Sequence, residues 1–235
     1  MIQVTDLHYS YPGSRHVVFD GLDMCLSEGN VYGLLGRNGE GKSTLLFLMS
    51  GLLRARKNEV CFDGNDMSRR LPEALQEIFI VPEEYDLPQM TMQQFIAVNR
   101  RFYPRFSEDA LYGCLRDFGM PAQVDLKALS MGQKKKVYMS FALAANTRLL
   151  LMDEPTNGLD IPSKSLFRKA IANNMSPDRT LVISTHQVHD VESLLDHVLI
   201  LDGGKLQFDG SVSSVTERYS FEFRQPSEMD ADGSA

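Results

Sequence analysis

The run Gly36-Arg37-Asn38-Gly39-Glu40-Gly41-Lys42-Ser43 has the residue types and spacing of a phosphate cradle. It fits the pattern G-x-x-x-x-G-K-[ST]. Glycines let a backbone turn its N–H groups inward and approach phosphate oxygens closely. Lys42 adds a mobile positive charge for the terminal phosphates of a nucleotide. Ser43 offers a hydroxyl that can ligate Mg²⁺, and Thr44 follows it. A helix beginning near Lys42 would aim its positive end at the same phosphates.

A second group is needed to hold the cation and to activate water. The apolar run Leu149-Leu150-Leu151-Met152 ends on Asp153-Glu154. Asp153 is expected to hold Mg²⁺ through water, and Glu154 to polarise an attacking water. Two acids capping the next helix is the alternative. A phosphate loop in the same chain favours the chemical reading.

These groups need a scaffold that gathers them. Residues 2–7, 17–19 and 22–26 alternate in strand fashion around the turn Tyr11-Pro12-Gly13-Ser14. Residues 31–35 form a short apolar strand that runs straight into the glycine loop, and a helix is expected over about 42–52. Strands follow at 60–62 and 78–81. From about 87 to 133 the apolar period becomes helical, with Met92, Phe95 and Ile96, then Ala110, Leu111, Leu115 and Phe118. Beyond it come a helix over 131–146, a strand at 149–152, a helix over 163–175 and a strand at 180–184. A helix over 188–195 and a hairpin of 198–201 with 205–208 follow. Strands alternating with helices predict an α/β fold with a mostly parallel sheet covered on both faces. Residues 225–235 are polar and read as a disordered tail.

Bulk properties exclude other classes. The 235 residues are 43% hydrophobic and 23% charged, with net charge −7. An acidic chain is poorly suited to gripping a nucleic-acid backbone, so no nucleic-acid partner is expected. Cys25, Cys61 and Cys114 are too scattered for a metal knuckle and read as free thiols in a reducing compartment. No basic leader precedes an apolar stretch, and no apolar run is long enough to cross a bilayer. A cytoplasmic protein is expected. His8, His16, His189 and His197 lack metal spacing and read as surface or core residues. Lys134-Lys135-Lys136 reads as a solvated helix face that could also meet phosphate or a partner.

Further motifs give the chain a family resemblance. Leu129-Ser130-Met131-Gly132-Gln133 is similar to the Leu-Ser-Gly-Gly-Gln signature of ATP-binding cassette (ABC) proteins. Pro155-Thr156-Asn157-Gly158-Leu159-Asp160 resembles the segment that ends in that family's D-loop aspartate. Ser184-Thr185-His186 resembles its switch histidine, and Tyr11 its adenine-stacking aromatic. The motif order matches from about residue 2 to 218. The resemblance implies a P-loop NTPase (RecA-like) core with an N-terminal antiparallel β subdomain and an inserted helical subdomain. The ABC ATPase domain would span 1–224, with the core in 1–86 and 134–224 and the helical lobe in 87–133.

It also implies a mechanism. Two such domains, either identical copies or this chain with a paralogous subunit, would pair head to tail around two ATP molecules. The phosphate loop of one would face Ser130, Gly132 and Gln133 of the other, with Asp160 near the seam. His186 would contact the γ-phosphate and hold water together with Glu154. An integral membrane permease would contact the helical lobe, where Arg100, Arg101 and Arg105 lie. This would place the protein on the inner face of the cell membrane.

Two departures stand out. Glu83 occupies the place of the family's usual Mg²⁺-ligating glutamine, where the alternative is a solvated loop residue. Met131 replaces a signature glycine. Both departures resemble the simple bacterial drug, peptide and lipid exporters. A soluble, non-transport ABC ATPase is the competing function. Such proteins usually have tandem domains or long insertions. A P-loop kinase or GTPase is disfavoured by the signature and by His186.

Overall fold

The computed structural model describes residues 1–121 and 123–218. The expected tail over 225–235 lies outside the described residues. Strands β1 (Ile2–Tyr9), β2 (Phe19–Leu26) and β3 (Val31–Leu35) lead through the glycine loop into helix α1 (Lys42–Met49). Strands β4 (Val60–Phe62) and β5 (Asn65–Asp66), the single turn α2 (Pro72–Leu75) and strand β6 (Ile78–Val81) follow. Helices α3 (Met92–Asn99), α4 (Glu108–Asp117) and α5 (Met131–Ala144) come before strand β7 (Leu149–Asp153). Helix α6 (Ile161–Asn174), strands β8 (Thr180–Thr185), β9 (His197–Asp202) and β10 (Lys205–Ser211), and helix α7 (Val212–Arg218) complete the order.

Two sheets organise these elements. The first is antiparallel, in the order β2-β1-β4-β5. The second runs β10-β9-β3-β8-β7-β6, parallel from β9 to β6 with β10 antiparallel at its edge. Because β3, β8, β7 and β6 are adjacent and point the same way, their C-terminal ends share one edge of the sheet. Leu35 pairs with Thr185, Asp153 with Ser184, and Val81 with Met152. The loops that leave those ends include the glycine loop and carry Glu83, Glu154 and His186.

β7 is buried along its whole length, as expected for a central parallel strand covered on both faces. Its side chains alternate between two cores. Leu150 and Met152 pack with the helical stretch, including Phe95, Leu111, Phe118 and Phe141. Leu149 and Leu151 pack with α1 and the antiparallel sheet, including Leu45, Leu46, Phe19 and Phe62.

Local chemistry sets the helix starts. Thr91 and Gln94 form a reciprocal capping box on α3, and Ser130 with Gln133 forms another on α5. Asp160 caps α6 through the N–H of Ser163 at 2.9 Å, and Pro162 follows in the first turn.

Four details differ from the sequence reading. α1 stops at Met49, because Gly51 turns the chain at φ +73°. The helix expected over 188–195 is instead two short 3-10 turns, Val188–Asp190 and Glu192–Leu194. Val191 at φ −128° breaks the run between them. Asp196 accepts from the N–H of Val31 at 2.8 Å, and its own N–H donates to the carbonyl of Val31 at 2.9 Å, which fixes the entry to β9. α2 and α7 have no counterpart in the reading. Lys135 lies in the interior at 8% exposure rather than on a solvated face.

Candidate functional site

The glycine loop bends where only glycine fits. A Cβ on Gly36 would lie 2.5 Å from the carbonyl oxygen of Leu201. Gly41 sits at φ +97°, and a Cβ there would meet Phe19 and Val18 at 2.9 Å. Lys42 is buried behind the loop. Its ammonium donates to the carbonyls of Gly36 at 2.8 Å and Arg37 at 3.0 Å, and it lies 3.8 Å from Glu154. These loop carbonyls hold the lysine in place of phosphate oxygens.

A cavity of about 300 Å³ opens in front of the loop. Tyr11, Asn38, Gly39, Gly41, Lys42, Ser43, Thr44, Glu83 and Glu154 line it, together with His16 and Val18, which the sequence reading did not single out. Arg37 is exposed at the outer turn of the loop. Glu40 accepts from the N–H of Gly203 at 2.5 Å and braces the loop against the β9–β10 turn. The Tyr11 hydroxyl is 2.9 Å from that of Thr44, and its ring meets Tyr9 edge-on at 5.2 Å.

Asp153 and Glu154 arrive at the end of β7. Asp153 is 2% exposed and accepts a hydrogen bond from the hydroxyl of Ser184, with the Ser43 hydroxyl close enough to favour its charge. Burial pushes its carboxyl above the usual range, and nearby Glu83 and Glu154 push the same way, against the two hydroxyls. Glu154 has φ +43°, a strained conformation for a residue with a side chain. The strain turns its carboxylate toward β8. One oxygen accepts from the Thr185 hydroxyl at 3.1 Å. The other accepts from the His186 N–H at 3.1 Å and faces His186 Nδ1 at 2.8 Å.

The acceptor carboxylate makes Nδ1 the protonated ring nitrogen, so Nε2 can accept from Gln187 Nε2 at 3.4 Å. Gln187 also donates to the side-chain oxygen of Asn157 at 3.1 Å, and Asn157 donates to Glu83 at 2.9 Å. Glu83 therefore joins Asn157 in one polar network with His186 and Glu154. Sequence reasoning missed Asn157, Gln187, Thr185 and Lys135 as parts of this arrangement. Asn157 and Thr185 lay inside motifs already quoted, so position alone could have flagged them.

The residue types suit a hard cation. Among the described residues no three His, Cys, Asp or Glu side chains form a closed metal cage. Mg²⁺ does not need one, since it takes one or two protein oxygens and completes its shell with phosphates and water. Asp153, near the Ser43 hydroxyl and crowded by Glu83 and Glu154, supplies negative oxygens beside the phosphate loop.

Ser130, Gly132, Gln133 and Asp160 do not line this cavity. Ser130 and Gln133 are exposed at the start of α5, beside Met131, which is 70% exposed. Asp160 is exposed at the start of α6, and its hydrogen bonds from Ser163 hold its carboxyl below the usual range. Within one chain the loop and the signature stretch are separate surfaces.

Comparisons with known proteins bear on the family and the fold. Residues 19–157 match the family described as ABC transporter. The chain is 31% identical over 227 residues to the methionine import ATP-binding protein MetN of Carboxydothermus hydrogenoformans, covering 92% of this chain and 67% of that protein. It is 29% identical over 201 residues to the Nod factor export ATP-binding protein I of Cupriavidus metallidurans, covering 83% and 66%. A solved structure of the ATP binding subunit of an ABC transporter superposes with a TM-score of 0.82 at 23% identity, over 93% of this chain and 92% of that one, which establishes the shared fold.

Proposed function

The chain belongs to the ABC transporter family as an ATP-binding, ATP-hydrolysing domain, and on that premise we propose that it powers export through a separate membrane permease by closing on ATP as a dimer. The observation that supports this most is the placement of Glu154. Its carboxylate is oriented by Thr185 and His186 and opens on the same cavity as Lys42 and Ser43.

In this reading ATP lies with its phosphates in the loop, and Lys42 exchanges its loop carbonyls for β- and γ-phosphate oxygens. The N–H groups of the loop and the start of α1 support the negative charge. Ser43, Asp153 and Glu83 would hold Mg²⁺, which when bound neutralises charge on the phosphates. Glu154 accepts a proton from the attacking water, and His186 keeps that water and the γ-phosphate in register. Ser130 and Gly132 of a second copy close the cavity at the start of α5, with Gln133 and Asp160 at the seam. Their absence from the cavity of one chain supports a shared site.

Tyr11 is the proposed platform for the adenine ring. Tyr11→Ala is expected to raise the KM for ATP about tenfold with little change in kcat, as one base–aromatic stack is worth about 1–3 kcal/mol. Tyr11→Phe keeps the ring and loses only the Thr44 contact, so it should stay near wild type. A steady-state titration of both variants separates stacking from the hydrogen bond.

Relatives named for import and for export stand at similar identity, so the proposal of export rests on Val81-Pro82-Glu83 and on Met131. No helix among the described residues is long and apolar enough to cross a membrane. Extraction of the tagged chain from membranes in detergent should bring down an integral membrane protein, and ATP should drive substrate out of cells or into inverted vesicles. Recovery with no integral membrane partner would leave the soluble ATPase as the better reading.

A further inference from the structure

Lys135 is a buried lysine that, among the described residues, has no ion pair in direct contact. Its ammonium donates to the backbone carbonyl of Asn157 at 2.6 Å, and the two carboxylates that act on it electrostatically are Glu83 and Glu154. Lys134 and Lys136, its neighbours in sequence, are only partly buried, and Lys134 pairs loosely with exposed Asp86 at 3.8 Å. Removing an ammonium from water is costly unless nearby charges and hydrogen bonds compensate. Burial alone favours the uncharged amine, and Glu83 with Glu154 oppose that.

Asn157 connects this cation to the reacting groups. While its carbonyl accepts from Lys135, its side chain donates to Glu83 at 2.9 Å and accepts from Gln187 at 3.1 Å. Gln187 in turn meets His186, and Lys164 steadies Gln187 by donating to its side-chain oxygen at 3.2 Å. Lys135 and Glu83 also both line a cleft of about 640 Å³, together with Met131 and Asn157. One lysine on α5 thus reaches the loop after β6 and the loop after β7.

We propose that Lys135 is a positioning residue for the phosphate site: it balances the charge of Glu83 and Glu154 and fixes Asn157 between Glu83 and the Gln187–His186 pair. The inference rests on the reading of the phosphate site given above. An acid at position 83 brings negative charge toward an anionic nucleotide, and the buried lysine offsets it. Losing the lysine alone leaves the acid unopposed. Losing both restores a neutral pair.

The test uses Lys135→Gln, Glu83→Gln and the double variant, with binding of a fluorescent ATP analogue measured in EDTA and kcat measured with Mg²⁺. Glutamine at 135 keeps a donor for Asn157 and removes the charge. Lys135→Gln is expected to weaken metal-free nucleotide binding about tenfold and to lower kcat by a similar factor. The double variant should bind within about threefold of wild type. A role limited to holding the fold would give no such recovery. Lys135→Met, similar in volume, removes charge and donor together and takes the place of the glutamine variant, alone and with Glu83→Gln, if that variant does not fold. Wild-type binding that survives Lys42→Ala would overturn the phosphate-site reading and this inference with it. Binding that needs Lys42 but is unchanged in Lys135→Gln, or a double variant no tighter than Lys135→Gln, would overturn this inference alone.

Discussion

Glu154→Gln is expected to lower steady ATP turnover by about 10²–10⁴-fold, the range supplied by a positioned general base, and to leave a dimer that ATP stabilises. The expectation follows from how the carboxylate is held. Its oxygens are committed to Thr185 and His186, and its backbone is strained at φ +43° to bring it there. A strained residue persists only where its surroundings over-determine it. Glutamine has the same shape and keeps an oxygen for His186, so the site should still form. Its amide cannot accept the proton of an attacking water. Lys42 also loses its anionic neighbour at 3.8 Å and remains free for the phosphates, so ATP binding should hold or tighten. Phosphate release measures the first effect, and size-exclusion chromatography with and without ATP measures the second. Turnover near the wild-type rate would remove Glu154 as the base.

The ends of the strands explain why much of this site was legible in the sequence. β3, β7 and β8 are short apolar runs, each followed at once by residues able to do chemistry, so the strand-to-loop junctions could be read directly. Which strands lie side by side could not. The order β9-β3-β8-β7-β6 is a property of long-range pairing, and it alone brings His186 to Glu154. The link from Asn157 to Glu83 joins residues 74 apart, and the one from Asn157 to Gln187 joins residues 30 apart, so neither has a local signal.

Lys135 is a different case. It lies one helical turn before buried Met139 and two before buried Ala142, so the 3.6-residue period already put it on the inner face of α5. Reading Lys134-Lys135-Lys136 as a charge run hid that phase. The 188–195 stretch failed for the opposite reason. Its composition allowed a helix, but Val191 at φ −128° interrupts the run, and the Asp196–Val31 contacts tie the chain that follows to the sheet.

Asp153→Asn is expected to separate stability from function at the same site. Turnover should fall at least about a hundredfold, because the cation ligand is lost and such an ion contributes several kcal/mol of charge stabilisation. The nucleotide-free fold should nevertheless melt at a higher temperature than wild type at neutral pH. Asp153 has a folded pKa raised above its ordinary value of 3.8, chiefly by burial. The folded state therefore binds this proton more tightly than the unfolded state does. The stability that the group contributes is fully present below about pH 3.8 and is lost as pH rises through the raised value. Near pH 7 the ionised carboxylate is a cost, with Glu83 and Glu154 adding to it. Asparagine removes that charge and keeps an oxygen for the Ser184 hydroxyl. Its advantage over wild type should grow from about pH 4 upward and level off above the folded pKa. Mg²⁺ with ATP should reverse the order, since only the wild-type carboxylate gains from the cation. Thermal melts between pH 5 and 8, with and without Mg²⁺ and ATP, test both halves. An asparagine variant that melts below wild type in the nucleotide-free state would show that the ionised carboxylate supports the fold, and would count against Asp153 as a charge held in reserve for the metal.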